Sequence, residues 1–218
     1  MTDFAALRRN MVDTQVRPSD VTEFPIIDAL LRIPRERFVP PGLEGAAYLG
    51  ENLPVGDGRV MLEPRTLAKM LDALDISPDD LVLLIGSGTG YSAAVLARLA
   101  AAVVAVEEDE AMASESEQVL AETGSDAVIV ERGPLDKGAP RHGPYDAALI
   151  EGGIERLPDE IAAQLAEGAR IAALFMQGEF GEARLGRVGA GGRIDWRPIF
   201  NAGAPVLSGF ATAPVFRL

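Results

Sequence analysis

From residue 64 to residue 175 the chain alternates two hydrophobic rhythms. Behind Pro64, the residues Leu67, Met70, Leu71 and Leu74 recur at three- and four-residue spacing, which predicts a helix with one buried stripe. Pro64 suits the first turn of that helix, where a fixed φ and a missing N–H are tolerated. Leu81-Val82-Leu83-Leu84-Ile85 is a continuous apolar run ended by glycine, which predicts a strand covered on both faces. The same reading gives a helix over 91–99, a buried strand at 103–106 and a helix over 111–122 stopped by Gly124. Strands follow at 127–130 and 147–150, then a helix over 158–166 and a strand over 170–175. Strand and helix alternating at this spacing imply βαβ units, and so an α/β protein with a doubly wound, mostly parallel Rossmann-like sheet.

The flanks follow other patterns. Residues 1–50 read as helical and irregular, with Ile26, Ile27, Ala29, Leu30 and Leu31 ahead of a break at Pro34. Gly56-Asp57-Gly58-Arg59 reads as a turn. The segment 193–218 reads as β-rich closing structure, and no internal repeat, coiled coil or low-complexity linker appears. At 218 residues the chain fits a single domain: 1–60 as an N-terminal helical cap segment, 61–218 as the Rossmann-like core.

Charge and composition remove several functions. A net charge of -13 repels phosphate backbones, so no nucleic-acid partner is expected. The densest basic segment, Arg32 to Arg37, reads as a helix end and turn. The absence of cysteine excludes a disulfide, a thiolate nucleophile and any Cys-containing zinc site. With one histidine, His142, in a polar loop, a multi-histidine metal site is excluded too, so no metal is expected. Met1-Thr2-Asp3-Phe4 does not begin a basic-then-apolar leader, and the most apolar window, Ala93 to Val106, is interrupted by Arg98 and too short to span a bilayer. The expectation is a cytoplasmic protein with no membrane partner.

Candidate chemistry sits where the first buried strand ends. Gly86-Ser87-Gly88-Thr89-Gly90 lies between that strand and the helix beginning at Tyr91. Glycines there let the backbone turn sharply and approach a ligand, and the following helix start offers unpaired N–H groups. Glu107 ends the next strand, 17 residues beyond Gly90, where a carboxylate accepts hydrogen bonds from the two ribose hydroxyls of an adenosine cofactor. The bland alternative is a glycine-rich turn beside a surface acid. The nicotinamide fingerprint G-x-G-x-x-G fails because Tyr91 stands at its third glycine, and a Walker loop fails for want of Gly-Lys-Ser/Thr. No G-x-S-x-G elbow accompanies the histidine. The G-x-G-x-G spacing matches the loop of S-adenosylmethionine-dependent methyltransferases. Tyr91 either caps this site or fills a gap beneath it, Glu108 is a further candidate contact, and Trp196 reads as a packing anchor.

At these residues the chain resembles the protein-L-isoaspartate O-methyltransferases. The resemblance runs through Ile33 to Pro40, Leu53 to Gly58, Pro64 to Leu74, Val82 to Leu99, Val104 to Glu107 and Gly143 to Ala147. It implies a class I methyltransferase fold, S-adenosylmethionine as cofactor and S-adenosylhomocysteine as product. The implied substrate is a peptide or protein bearing isoaspartyl residues, whose carboxylate is methylated as the start of repair. Cofactor contacts are implied at Gly86, Ser87, Gly88, Thr89, Gly90, Tyr91, Glu107, Glu108, Gly133 and Pro134. The chain departs from the family at several contacts. Leu62 stands where the family carries a serine whose hydroxyl meets the acceptor, so no catalytic residue is assigned. Leu84 replaces an acid of the first strand, Gly133-Pro134-Leu135 replaces Gly-Asp-Gly, and Asn201 to Val206 lacks an arginine and a phenylalanine of the family's closing segment. Two other functions stay open: a same-fold methyltransferase with another acceptor, and a non-catalytic relative that binds a ligand or partner.

Overall fold

The computed structural model describes residues 2–212. Helices α1 (Phe4–Met11) and α2 (Phe24–Arg32) lead into a 3-10 turn at Arg35–Phe38. Strands β1 (Leu53–Gly56) and β2 (Arg59–Met61) then form an antiparallel hairpin around the expected turn. Helix α3 (Pro64–Leu74) precedes the alternating core: β3 (Leu81–Ile85), α4 (Tyr91–Leu96), β4 (Ala102–Glu107), α5 (Glu110–Glu122) and β5 (Val128–Arg132). The chain continues through β6 (Tyr145–Ile154), α6 (Asp159–Ala162), β7 (Leu165–Gln177), β8 (Phe180–Val188) and β9 (Ile194–Asn201).

Seven strands form one sheet in the order β5-β4-β3-β6-β7-β8-β9. Pairings from β5 to β7 are parallel, while β8 and β9 add antiparallel. From β3 the chain moves outward to β4 and β5, then returns to place β6 on the other side of β3. Connections leave β3 and β6 in opposite directions, and their carboxyl ends bound the crevice where ligands bind in such sheets.

Alternation along the strands sorts side chains to two buried faces. Val82, Leu84, Val103, Ala105, Ala147 and Leu149 face the layer holding α2, α3 and α4. Leu83, Ile85, Val104, Val106, Ala148 and Ile150 face Ile161, Leu135 and Phe210. The N-terminal segment packs into the first layer through Met11, Val12, Val16, Val21 and Ile26. Among the described residues no helix is long and apolar enough to cross a membrane.

Several expectations shift. The helix expected over 158–166 is only α6, because the Gln164 carbonyl accepts from the Tyr145 amide (2.9 Å) and draws this segment into the sheet. The Gln164 side chain secures that bend by donating to the carbonyls of Lys137 (2.8 Å) and Glu160 (2.7 Å). Helix α4 stops at Leu96, short of the expected 99. Strand β8 carries no clean alternation, since Gly181, Glu182, Arg184, Gly186 and Arg187 interrupt it, and pairing with β7 imposes the strand. Of the expected β-rich close only β9 forms a strand: residues 202–212 are loop apart from one bridge of Val206 to Gly153, and positions 213–218 lie outside the described residues.

Candidate functional site

The glycine loop is stapled to its neighbour before any side chain acts. The amides of Gly86 and Ser87 both donate to the Val106 carbonyl (3.0 and 3.2 Å), and Gly90 N–H closes a turn onto the Ser87 carbonyl at 2.9 Å. Gly86, Gly88 and Gly90 take φ of +77°, +53° and +96°, a region that L side chains rarely adopt. Two of the three are also sterically fixed. A Cβ on Gly90 would overlap Ser116 Oγ of α5, and one on Gly86 would lie 3.2 Å from Arg59 Nη2 and from Leu207 Cδ1.

Above the loop lies the β1–β2 hairpin. Arg59 reaches from β2 to Glu107 and grips it with both ends of the guanidinium, Nη1 to Oε1 at 2.7 Å and Nη2 to Oε2 at 2.8 Å. The Glu107 carboxylate also accepts from the amides of Gly88 (2.7 Å), Glu108 (2.9 Å) and Asp109 (3.0 Å). Glu107 is wholly buried and Arg59 is 8% exposed. Glu107 therefore stands at the strand end expected of it, with its oxygens already engaged. A bidentate, charge-assisted pair in a dry setting is among the stronger polar contacts a protein makes.

On the β6 side, polar groups are left unmatched. Arg35, fully buried, donates from Nε to the Ala47 carbonyl (2.6 Å) and from Nη2 to the Leu62 carbonyl (2.7 Å), and its guanidinium lies 4.6 Å from the Tyr91 ring centre. Burial lowers its pKa against the pull of Tyr91 and Glu151. Arg35 Nη1, the Tyr91 hydroxyl, Ser87 Oγ, Ser92 Oγ and Glu151 Oε2 are buried without hydrogen-bond partners. Burial pushes the Glu151 carboxyl up to about 7 despite the counter-pull of Ser92, Arg35, Arg59 and the Leu62 amide. Val55, Val60 and Met61 of the hairpin roof a cavity of about 10 Å³ floored by Ser87, Gly88, Thr89, Tyr91 and Glu151.

The structure thus joins Gly86, Ser87, Gly88, Thr89, Gly90, Tyr91 and Glu107 in one crevice. Tyr91 is buried, lines the small cavity, and meets the Phe38 ring edge-on at 5.8 Å. Thr89 Oγ1 donates to the Phe38 carbonyl. Glu108 is exposed and joins only through its amide. Gly133 donates its amide to the Glu107 carbonyl (3.1 Å), whereas Pro134 is exposed at the start of a 3-10 turn. Leu62 is fully buried in the apolar layer. Sequence reasoning passed over Arg35, Arg59 and Glu151. The signal for Glu151 was present: it follows the apolar run Ala147 to Ile150 as Glu107 follows Val103 to Val106.

The donor set suits S-adenosylmethionine: a glycine cradle, a strand-end carboxylate and the unpartnered Ser87 hydroxyl. Space is the obstacle, since bound cofactors fill pockets of about 300 Å³ or more. The arrangement leaves less room than such a group needs, and the Glu107 oxygens are held by Arg59 and three amides.

A doubly wound sheet with a glycine loop and a strand-end acid at its switch point defines a class I methyltransferase fold. The model of the family described as protein-L-isoaspartate(D-aspartate) O-methyltransferase matches residues 8–179. The chain is 37% identical over 178 residues to protein-L-isoaspartate O-methyltransferase 2 of Anaeromyxobacter sp. (strain Fw109-5), covering 82% of this chain and 72% of that protein. It is 39% identical over 161 residues to the protein-L-isoaspartate O-methyltransferase of Gloeobacter violaceus (strain ATCC 29082 / PCC 7421), covering 74% and 78%. A solved protein-L-isoaspartate O-methyltransferase superposes with a TM-score of 0.83 at 23% identity, over 93% of this chain and 66% of that one. A putative Plasmodium falciparum relative in complex with S-adenosyl-L-homocysteine superposes with a TM-score of 0.78 at 14% identity, over 95% and 99%. These two likenesses bear on the fold. The chain belongs to the protein-L-isoaspartate(D-aspartate) O-methyltransferase family.

Proposed function

We propose that this protein transfers a methyl group from S-adenosylmethionine to the free carboxylate of an isoaspartyl residue in a peptide or protein, leaving S-adenosylhomocysteine. The observation that carries the reading is the family match over residues 8–179, which spans the glycine loop, Glu107 and the hairpin roof. The cytoplasmic setting expected from the sequence belongs to this proposal, as does a capping role for residues 1–60.

The cofactor, when bound, supplies an electrophilic methyl group. The chain's own residues do the rest. The glycine loop gives close backbone approach, and Glu107 offers the carboxylate for the ribose once Arg59 has left it. Val55, Val60 and Met61 roof the crevice and exclude water. A carboxylate acceptor is ionised at neutral pH and attacks without losing a proton, so orientation and desolvation carry the rate. The absence of an assigned base is therefore consistent with this chemistry.

Leu62, in the position of the family's serine, favours a second reading: a same-fold methyltransferase acting on another acceptor. Methyl transfer to an isoaspartyl hexapeptide, run beside its aspartyl isomer, separates the two. Turnover of the isoaspartyl peptide alone is expected. Cofactor turnover on neither peptide, with S-adenosylhomocysteine bound, contradicts it.

A further inference from the structure

The hairpin that roofs the glycine loop is fastened differently at its base and at its tip. At the base, Asn52 donates from Nδ2 to the Gly203 carbonyl (2.8 Å) and accepts from the Glu63 amide (2.9 Å), while Arg35 donates to the Leu62 carbonyl (2.7 Å). Leu53 and Met61, paired across that base, are buried. At the tip, Asp57 and Gly58 are exposed. Strands β1 and β2 pair only with each other, so no ladder ties them to the large sheet. Among the described residues, the bonds of Arg59 to Glu107 are the only hydrogen bonds from residues 54–61 to the rest of the fold. Packing adds the half-buried Val55 and Val60 and the terminal methyl of Met112, which lies against Gly56: a Cβ there would fall 1.9 Å from it. A thioether on an unbranched chain repacks readily. The polar hold on the tip is therefore one ion pair.

That pair also fills the carboxylate. A carboxylate offers about four lone-pair sites. Glu107 meets five donors: both Nη atoms of Arg59 and the amides of Gly88, Glu108 and Asp109. No acceptor site is left for a hydroxyl. The three amides belong to the glycine loop and the strand end, whereas Arg59 arrives from the hairpin. We propose that the β1–β2 hairpin is a lid over the cofactor site and that Arg59 is its latch: the guanidinium takes the acceptor sites of Glu107 that a ribose would use, and the cofactor gains them only when the tip swings out about its base. The inference rests on the cofactor site of the proposed function. Both partners of the pair can part. Glu107 keeps its three amides, so its charge is not left bare in the interior. Arg59 borders an exposed turn and carries its charge toward water as the tip moves. The latch is thus a competitor built into the chain, and it weakens cofactor binding in proportion to the time the lid stays shut.

The chain has no cysteine, so two introduced thiols can carry spin labels at chosen positions. Asp57→Cys on the hairpin tip and Glu115→Cys on α5 use exposed sites. Pulsed electron resonance reads the distance between the labels with Arg59 intact, and with Arg59→Gln or Arg59→Lys added, each with and without S-adenosylhomocysteine. Calorimetry gives the affinity of each protein. With Arg59 intact and no ligand, one short distance is expected, and S-adenosylhomocysteine should replace it with a longer one. Arg59→Gln is expected to show the longer distance without ligand. It should also bind at least about tenfold more tightly, the gain for a lid otherwise open about one tenth of the time. Arg59→Lys, a point charge in place of a two-pronged donor, is expected to fall between the two. Binding to the protein with Arg59 intact at an unchanged label distance overturns the lid. Equal or weaker binding by Arg59→Gln overturns the latch. If Arg59→Gln does not fold, Arg59→Lys and the ligand-induced distance change decide. Failure of all three proteins to bind S-adenosylhomocysteine overturns the cofactor site of the proposed function. The unliganded distances then judge the latch alone, and the same distance with Arg59 and with Gln overturns it.

Discussion

Two corners of one crevice, about equally buried, treat their charges in opposite ways. At the β4 corner, the Glu107 carboxylate meets Arg59 and three amides, and its oxygens are engaged. At the β6 corner, Glu151 and Arg35 face each other among hydroxyls and leave Oε2 and Nη1 unmatched. The difference separates a corner whose charges are matched within the fold from one whose polar groups are not. A matched pair holds the hairpin over the loop; an unmatched set carries a desolvation cost that its neighbours leave unrelieved.

The sharpest way to break this contrast is at Glu107. Glu107→Ala strands a buried Arg59 and three amides, and should cost about 3–5 kcal/mol in stability, as measured by chemical denaturation. A loss below about 1 kcal/mol, the level of a surface pair, would mean that the matched corner does not hold the hairpin.

Next is the pH dependence of stability at the other corner. The folded-state pKa of Glu151, about 7, lies above its ordinary 4.5, so the folded protein binds the extra proton between these values. The stability tied to that proton is full below about pH 4.5 and is lost as pH rises through about 7. At 1.36 kcal/mol per unit the loss is about 3 kcal/mol. Thermal and urea melts at pH 5 and pH 8 should show this loss in wild type and not in Glu151→Gln. Equal pH dependence in the two proteins would place the titration elsewhere.

A smaller effect is expected at Leu62. Leu62→Ser restores the hydroxyl of the resembling family, yet the side chain it removes is fully buried in the apolar layer. The expected result is a loss of about 2–3 kcal/mol in melts from the cavity and the buried hydroxyl. Unchanged stability with faster methyl transfer would instead mark the position as facing the acceptor.

The smallest effect concerns the loop. At Gly88, with φ +53°, an added Cβ meets only Val55 Cγ2 at 3.8 Å, so Gly88→Ala should cost about 1–2 kcal/mol of backbone strain. Gly90→Ala should cost more, because its Cβ overlaps Ser116 Oγ. Equal melts for the two variants would mean that α5 yields to the intrusion.

The same contrast explains what the sequence disclosed. β3, β4 and β6 were legible because buried parallel strands are written as unbroken apolar runs, and the loop because its glycines sit between a run and a helix. Glu107 was legible as a strand-end acid, but its partner was not: Arg59 reads as a turn residue, and 48 positions separate the two. Arg35 looks like its neighbours Arg32 and Arg37, which stay exposed, and only the Ala47 and Leu62 carbonyls distinguish it. Periodicity reports which face a residue takes; it carries no record of the tertiary partner that buries a charge. β8 was lost for a related reason, since β7 dictates its pairing through a stretch broken by glycines and charges.

Titration of S-adenosylhomocysteine into wild type and Arg59→Gln by calorimetry tests the central claim most directly: the crevice is a cofactor site that Arg59 closes by holding Glu107. The ribose must displace a bidentate ion pair in wild type and a weaker neutral contact in the variant. Arg59→Gln should therefore bind at least about tenfold more tightly, the equivalent of 1.4 kcal/mol. Binding to neither protein, or the same affinity for both, would contradict it.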